Sequence, residues 1–322
     1  MSAPIGYYVH HQGDGHRRRA LAVAQHLDRP VTGLSSLPAP DGWPGDWVEL
    51  PRDDVPAPLP DADATAGGRL HWVPLDHPGL RERAARVSSW VAAARPALVV
   101  VDVSVEMTLL LRLHGVPVVV AAMLGDRDDP VHTLGRAAAT ALFAPWPAPA
   151  GRTTGEVHHV GAFSRFDHLS PTPVPGTGRV LRLWGLGGSD VDATQLAAAE
   201  AATPGWTWAT PGPDVWADLG AAEVVVVHGG HNAVAEVAAA RRPAVVVAQH
   251  RPFAEQHRRV ERLRELGIVA LDAWPPAADW PGLLDRARGV GGAVWQAWSP
   301  GDGARRTAVW LERLASAREA SR

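Results

Sequence analysis

Short runs of β-branched residues alternate along the chain with alanine-rich stretches of helical period, the pattern of βαβ units and parallel sheets. In the first half it predicts strands at "IGYYVH" (5–10), "ALVVVDVS" (97–104) and "PVVVAAM" (117–123), with a weaker one near "TALFAPW" (140–146). "ALAVAQHL" (20–27) and "EMTLLLRLHG" (106–115) read as helices between them, the second stopped at Gly115. Residues 37–65 are dense in Pro, Asp and Trp and predict no regular structure. From Pro145 to Gly178 the chain becomes rich in Pro and Gly, and a second series of strand signals then follows: "RVLRLWGLGGSD", "GWTWATPG", "AEVVVVHGG", "PAVVVAQH" and "GIVAL". The expected fold is α/β: a Rossmann-like domain over 1–165, a linker over 166–178 and a second Rossmann-like domain over 179–322, the last helix able to pack back on the first domain. Two such domains are expected to face an interdomain cleft, with ligands beyond the carboxyl ends of their strands.

Composition narrows the function. The chain has 322 residues, 46% of them hydrophobic and 20% charged, with a net charge of −3, so there is no basic footprint for nucleic acid. All 31 basic residues are Arg, which together with abundant Ala, Pro and Gly suggests a GC-rich genome. With no cysteine, disulfides, thiolate metal sites and Cys nucleophiles are excluded, and a reducing cytoplasm is the expected setting. The apolar runs are too short to span a bilayer, which needs about 20 residues, and no signal-peptide pattern opens the chain.

The richest chemistry lies in "AEVVVVHGGHNAVAEVAAARRPAVVVAQHRPFAEQ" (222–256). Four consecutive valines read as a strand buried on both faces. His228, Gly229 and Gly230 leave its end, and a helix is expected over Asn232–Ala240. The glycines would let a ligand approach the backbone, the helix N-terminus offers N–H groups to a phosphate, and His228 adds a hydrogen bond. Asn232 and Glu236 share a helix face, from which a carboxylate can accept from two vicinal ribose hydroxyls. A later loop carrying Glu255 and Gln256 supplies the acceptors and donors that suit a sugar ring. Singly, His228 reads as a satisfied loop residue and Glu236 as part of a solvated face; together in one βαβ unit they point to one ligand.

"HGGHNAVAE" followed by "EQ" resembles the donor-binding signature of the UDP-dependent glycosyltransferases of the GT-B fold. The resemblance implies His228, Gly229, Gly230 and Asn232 at the diphosphate, Glu236 at the ribose, and Glu255 with Gln256 at the donor sugar. Gly229, His231 and Ala233 depart from the family's Cys, Trp and Ser. Trp206 or Trp208 could stack on the base. "LWGLGGSD" (183–190) is similar to the family's first Gly-rich loop of the second domain, placing Gly187, Gly188 and Ser189 at the other side of the diphosphate.

"HHQGDGHRRRALAVA" (10–24) resembles the Gly-rich loop of the N-acetylglucosaminyltransferases that make the lipid-linked peptidoglycan precursor, with Gly13, Gly15 and His16 matching, and the resemblance implies Gly13 and Gly15 at the donor diphosphate. Inverting transfer needs a base for the acceptor hydroxyl and a partner for the leaving diphosphate. His16 is the first candidate for either role, with His10 and His11 as competitors. Asp102, ending its strand, either orients a catalytic His or binds acceptor, or else caps the next helix, where Ser104 is an equally good cap. Arg17–Arg19 divide between diphosphate or acceptor contacts and a solvated face. "GDRDDPVH" (125–132) reads as a charged solvent loop or as acceptor contacts.

The resemblance implies a hexosyl transferase that needs no metal and no cofactor, the nucleotide-sugar being a co-substrate, with a small-molecule or lipid-linked acceptor. The scattered His residues show no zinc-ligand spacing. Three other functions share the architecture, one of them UDP-sugar 2-epimerisation, whose usual carboxylate and Arg pattern is not evident in this chain. UDP-sugar hydrolases open with Gly-x-Gly-His-x-x-Arg, which "GDGHRRR" fits through Arg19, and a non-catalytic nucleotide-sugar-binding protein would keep the donor signature alone.

Overall fold

A computed structural model describes residues 2–149, 157–184 and 188–320. It divides into two compact units: the chain up to Met123 with Arg127–Val160 and Ala304 onward, and Leu124–Asp126 with Gly161–Gly303. The Pro- and Gly-rich segment 166–178 lies within the second unit. There the carbonyls of Thr172 and Pro173 accept from Arg242, a buried guanidinium that needs such partners.

The first unit is a seven-stranded parallel sheet of β1 (Ile5–Val9), β2 (Val31–Ser35), β3 (Asp46–Glu49), β4 (Leu98–Asp102), β5 (Val118–Ala121), β6 (Ala141–Ala144) and β7 (Val157–His159), in the order 3-2-1-4-5-6-7. Its helices are α1 (Gly15–Ala24), α2 (Pro78–Ala94), α3 (Val105–Leu113) and α4 (Pro130–Ala138). The second unit holds a five-stranded parallel sheet of β8 (Arg179–Leu183), β9 (Thr207–Ala209), β10 (Val224–His228), β11 (Ala244–Val247) and β12 (Val269–Leu271), in the order 12-11-10-8-9. Around it run α5 (Ala193–Ala202), α6 (Val215–Ala221), α7 (His231–Ala239), α8 (Glu255–Glu265), α9 (Trp280–Val290) and α10 (Trp295–Trp298). The last helix, α11 (Gly303–Ala320), belongs from Ala304 onward to the first unit, where Arg29 binds Glu312 and Glu319 at 2.9 and 2.8 Å and Trp310 stacks on His158.

Valines 224–227 of β10 are all fully buried between β8 and β11, each worth roughly 2 kcal/mol of apolar burial. Residues 37–65 do contain a strand. β3 is a half-exposed edge whose Trp47 pairs with Gly33, and a Cβ at Gly33 would fall 2.1 Å from the Trp47 ring. The first helix begins at Gly15, ahead of the apolar pattern, and α7 begins at His231, one residue before the expected Asn232. Glu255 and Gln256 are the opening residues of α8 and not part of a loop; Phe253 (φ 60°) and Ala254 (φ 50°) make the turn before them in the left-handed region.

Candidate functional site

In the first unit, β1 pairs with β4 in a register that sets Val9 beside Asp102. The loop leaving β1 therefore begins next to the carboxyl end of β4, and α1 carries His16 back towards it. His16 Nδ1 lies 3.0 Å from Asp102 Oδ1. Arg19, one helical turn further on, donates from Nε to Asp102 Oδ2 at 2.8 Å and from Nη2 to Oδ1 at 2.9 Å. Asp102 is fully buried; burial alone would raise its carboxyl, but Arg19 and then His16 outweigh that and hold it well below the usual carboxylate range. An ionised Asp102 accepts the Nδ1 proton of His16, which leaves Nε2 as the basic nitrogen. Arg19 Nη2 also approaches Nδ1, at 3.1 Å, while its two hydrogens are directed to Asp102 Oδ1 at 2.9 Å and Met123 Sδ at 3.7 Å.

Asp102 does not cap α3; Ser104 does, accepting from the Met107 N–H at 3.1 Å. Between them Val103 sits at φ 64°, a left-handed conformation disfavoured for a β-branched residue. Gly13 (φ 85°) makes the turn into α1, and Gly15 is the first helical residue. Arg17 and Arg18 pair with Asp14, so of the three arginines only Arg19 turns to the buried Asp102. His10 accepts from the Gln12 N–H through Nδ1 at 3.1 Å, and burial, with His16 and His11 nearby, pushes its pKa down to about 4. His11 is buried at 7% exposure, 3.6 Å from both Asp53 and Asp54.

In the second unit, the His228 ring folds back over the chain that follows β10. Its Nδ1 accepts from the Gly230 N–H at 3.0 Å, and a Cβ at Gly230 would fall 2.2 Å from the ring. The Gly229 N–H is taken by Val247 O at 2.9 Å, and a Cβ there would meet Gln256 at 3.1 Å. These two glycines thus serve internal packing, and their amides are already used. What His228 presents is Nε2: with Nδ1 accepting, Nε2 carries the proton, and it is a buried donor without a hydrogen-bond partner among the described residues. Burial, then Arg251 and Arg259, push the His228 pKa down to about 4, so the ring is neutral. α7 has no side-chain cap, which leaves first-turn amides including that of Asn232 to meet an anion.

Glu236 is 7% exposed and accepts from Arg165 Nε at 2.8 Å. Gln256, 3% exposed, fastens the chain after β11 by accepting from the Gln249 N–H at 3.0 Å. Glu255 is half-buried at the start of α8. Gly187 lies outside the described residues. Gly188 (φ 89°) is exposed and its carbonyl accepts from Arg251 at 3.3 Å; the Ser189 hydroxyl closes a local turn with Val191. Arg251 was not a candidate from the sequence, although an Arg directly after "VVVAQH" was the available signal. Trp208 is tied to the core, bonded to Thr203 at 2.9 Å and set edge-on to the buried Trp280.

In "GDRDDPVH", Asp126 pairs with Arg258 at 2.6 Å and Asp129 caps α4 through the Val131 and His132 amides. His71, Asp129 and His132 bring potential ligand atoms within 4.8 Å of one another, as do His11, Asp53 and Asp54. In the first group His132 binds Asp129 through Nδ1 at 2.5 Å and faces Arg127 through Nε2 at 2.8 Å, hydrogen bonds that account for the arrangement.

No family model matches the chain, and no curated protein matches it in sequence. Solved structures do. The glycotransferase of kitacinnamycin superposes with a TM-score of 0.66 at 15% identity, over 97% of this chain and 99% of that one. MurG from Acinetobacter baumannii gives 0.64 at 15% identity, over 97% and 100%. CalG4, the calicheamicin glycosyltransferase, gives 0.62 at 17% identity, over 98% of each chain. At these identities the likeness is one of fold: the chain has the GT-B fold.

Proposed function

We propose that the protein is a glycosyltransferase that moves a sugar from a nucleotide-diphosphate sugar, UDP-linked on the signature, to an acceptor hydroxyl with inversion and without a metal. The observation that carries this reading is the His16–Asp102 pair anchored by Arg19, which arms one imidazole nitrogen as a base. In the proposed reaction His16 Nε2 takes the acceptor's hydroxyl proton while that oxygen bonds the anomeric carbon. The bond from that carbon to the diphosphate breaks, and its electron pair leaves with the nucleotide. The Asp102 carboxylate stabilises the imidazolium that results. The His228 Nε2–H and the first-turn amides of α7 supply donors for the leaving diphosphate, and Glu236 the acceptor for the ribose hydroxyls, exchanging Arg165 for them.

Hydrolysis of the nucleotide sugar is the weaker reading, because Arg19, which carries the hydrolase resemblance, is committed to Asp102. The experiment is to incubate the protein with UDP-, TDP- and GDP-sugars, with and without a panel of hydroxylated acceptors, and to measure nucleotide release. Transfer requires release that depends on acceptor. Release at full rate without acceptor would make it a hydrolase, and donor binding with no turnover under any condition a binding protein.

A further inference from the structure

The first unit contains a cavity of about 470 Å³, in the range of sites for drug-sized molecules. Leu80 and Ala84 of α2, Met107 and Leu110 of α3, and Trp72 form its apolar walls. The charged groups on it are Asp53, Asp54, Glu106 and Arg83, three carboxylates against one guanidinium. Arg83 is already engaged with Pro51 O at 2.9 Å, Tyr8 Oη at 2.8 Å and Ser36 Oγ at 2.5 Å. His10 and His11 also line the cavity, and burial pushes both pKa values down, so neither adds positive charge at neutral pH. An anionic group placed here meets carboxylates and no uncommitted cation. Asp53 Oδ1 is buried, 3.5 Å from Arg83 Nη2 and 3.6 Å from His11 Nε2, and has no hydrogen-bond donor among the described residues, so a ligand's hydroxyl would complement it. The cavity also adjoins the chemistry: the His10 ring is 5.9 Å from that of His16, and Ser104 on its wall is two residues from Asp102.

We propose that this cavity is the acceptor subsite, and that it takes a drug-sized, mostly apolar alcohol or phenol carrying no anionic group. The assignment rests on the transfer reading above and excludes a lipid-linked diphosphate as the acceptor.

The test is calorimetric titration of the full chain, without donor, using a neutral and anionic pair of one skeleton, estradiol and estradiol 3-sulfate. Estradiol is expected to bind at least tenfold more tightly than its sulfate. Leu110→Trp, which fills the cavity, should weaken estradiol at least tenfold; Ala84→Phe is the second variant should the first not fold. UDP affinity, measured separately, reports on the donor site. Equal or tighter binding of the sulfate, no binding of estradiol, or indifference to both folded variants overturns the proposal. Estradiol binding as expected with no UDP binding keeps the ligand class of the cavity and defeats the transfer reading instead.

Discussion

The carboxylate of Asp102 and the Nδ1 of His16, 86 positions apart in the chain, lie 3.0 Å from each other, with Arg19 bridging to both carboxylate oxygens. The proposed reaction gives the pair two separable roles, one in proton transfer and one in holding a buried cation.

Removing the imidazole should therefore cost activity without stability. His16→Ala is expected to lower kcat by about 10²- to 10⁴-fold, with a melting temperature close to that of the parent. Asp102→Asn should lower kcat as well, and should also destabilise the fold by about 3–5 kcal/mol, because Arg19 at 4% exposure would lose its counter-charge. Steady-state kinetics with chemical denaturation of both variants separates the roles. Unchanged stability of Asp102→Asn would show that the Arg19 pair is not what holds this corner.

His228 makes its prediction through one nitrogen. If Nε2–H donates to the diphosphate, His228→Ala should weaken UDP by roughly 10- to 100-fold, the range for a hydrogen bond to a charged group. His228→Gln, which keeps a donor, should lose less. Equal losses in isothermal titration would place the effect in packing against Gly230 and not in the donor.

Glu236 bears on the ribose. Glu236→Ala should weaken UDP by about tenfold and 2′-deoxy-UDP distinctly less, since one of the two hydroxyl contacts is already missing there. Competition binding with the two nucleotides measures this, and an identical loss for both would remove Glu236 from the ribose.

Asp167 carries a stability prediction. Burial raises its carboxyl to about 6, and Oδ1 is buried without a hydrogen-bond partner among the described residues. The folded chain holds this proton more tightly than the unfolded chain. Its contribution to stability is thus fullest below pH 4, declines as pH rises through 4 to 6, and is a penalty above that range. Asp167→Asn should be roughly 2 kcal/mol more stable than the parent at pH 8 and nearly equal to it at pH 4. Urea denaturation at the two pH values tests this; a gain of the same size at both would contradict it.

The proposed donor half of the site could be read as one group of residues because its parts are neighbours in the chain. A buried strand of valines, a short Gly turn and a helix in one βαβ unit bring His228, Asn232 and Glu236 together by local geometry alone. The elements that escaped reading have weak local signals: β3 is four half-exposed residues at a sheet edge, and α2 carries exposed Arg and Glu between its buried positions. Glu255 and Gln256 were placed in a loop because two non-glycine residues in the left-handed region leave no mark in the pattern.

By itself, then, the chain's alternation of apolar strands and alanine-rich helices determined two parallel α/β sheets, and its Gly- and His-bearing strand ends marked the candidate positions for chemistry. Which of His10, His11 and His16 meets the buried Asp102 was decided only by tertiary structure. Placing β4 beside β1 sets Asp102 opposite Val9, and one turn of α1 then delivers His16 and Arg19 to the same carboxylate. The roles of Gly229 and Gly230 were decided there too: the His228 ring and Gln256 occupy the space a side chain would need, their amides are used internally, and the donor left without a hydrogen-bond partner among the described residues is the buried imidazole N–H. Strand order and side-chain rotation depend on long-range packing, to which a local pattern of residues is blind.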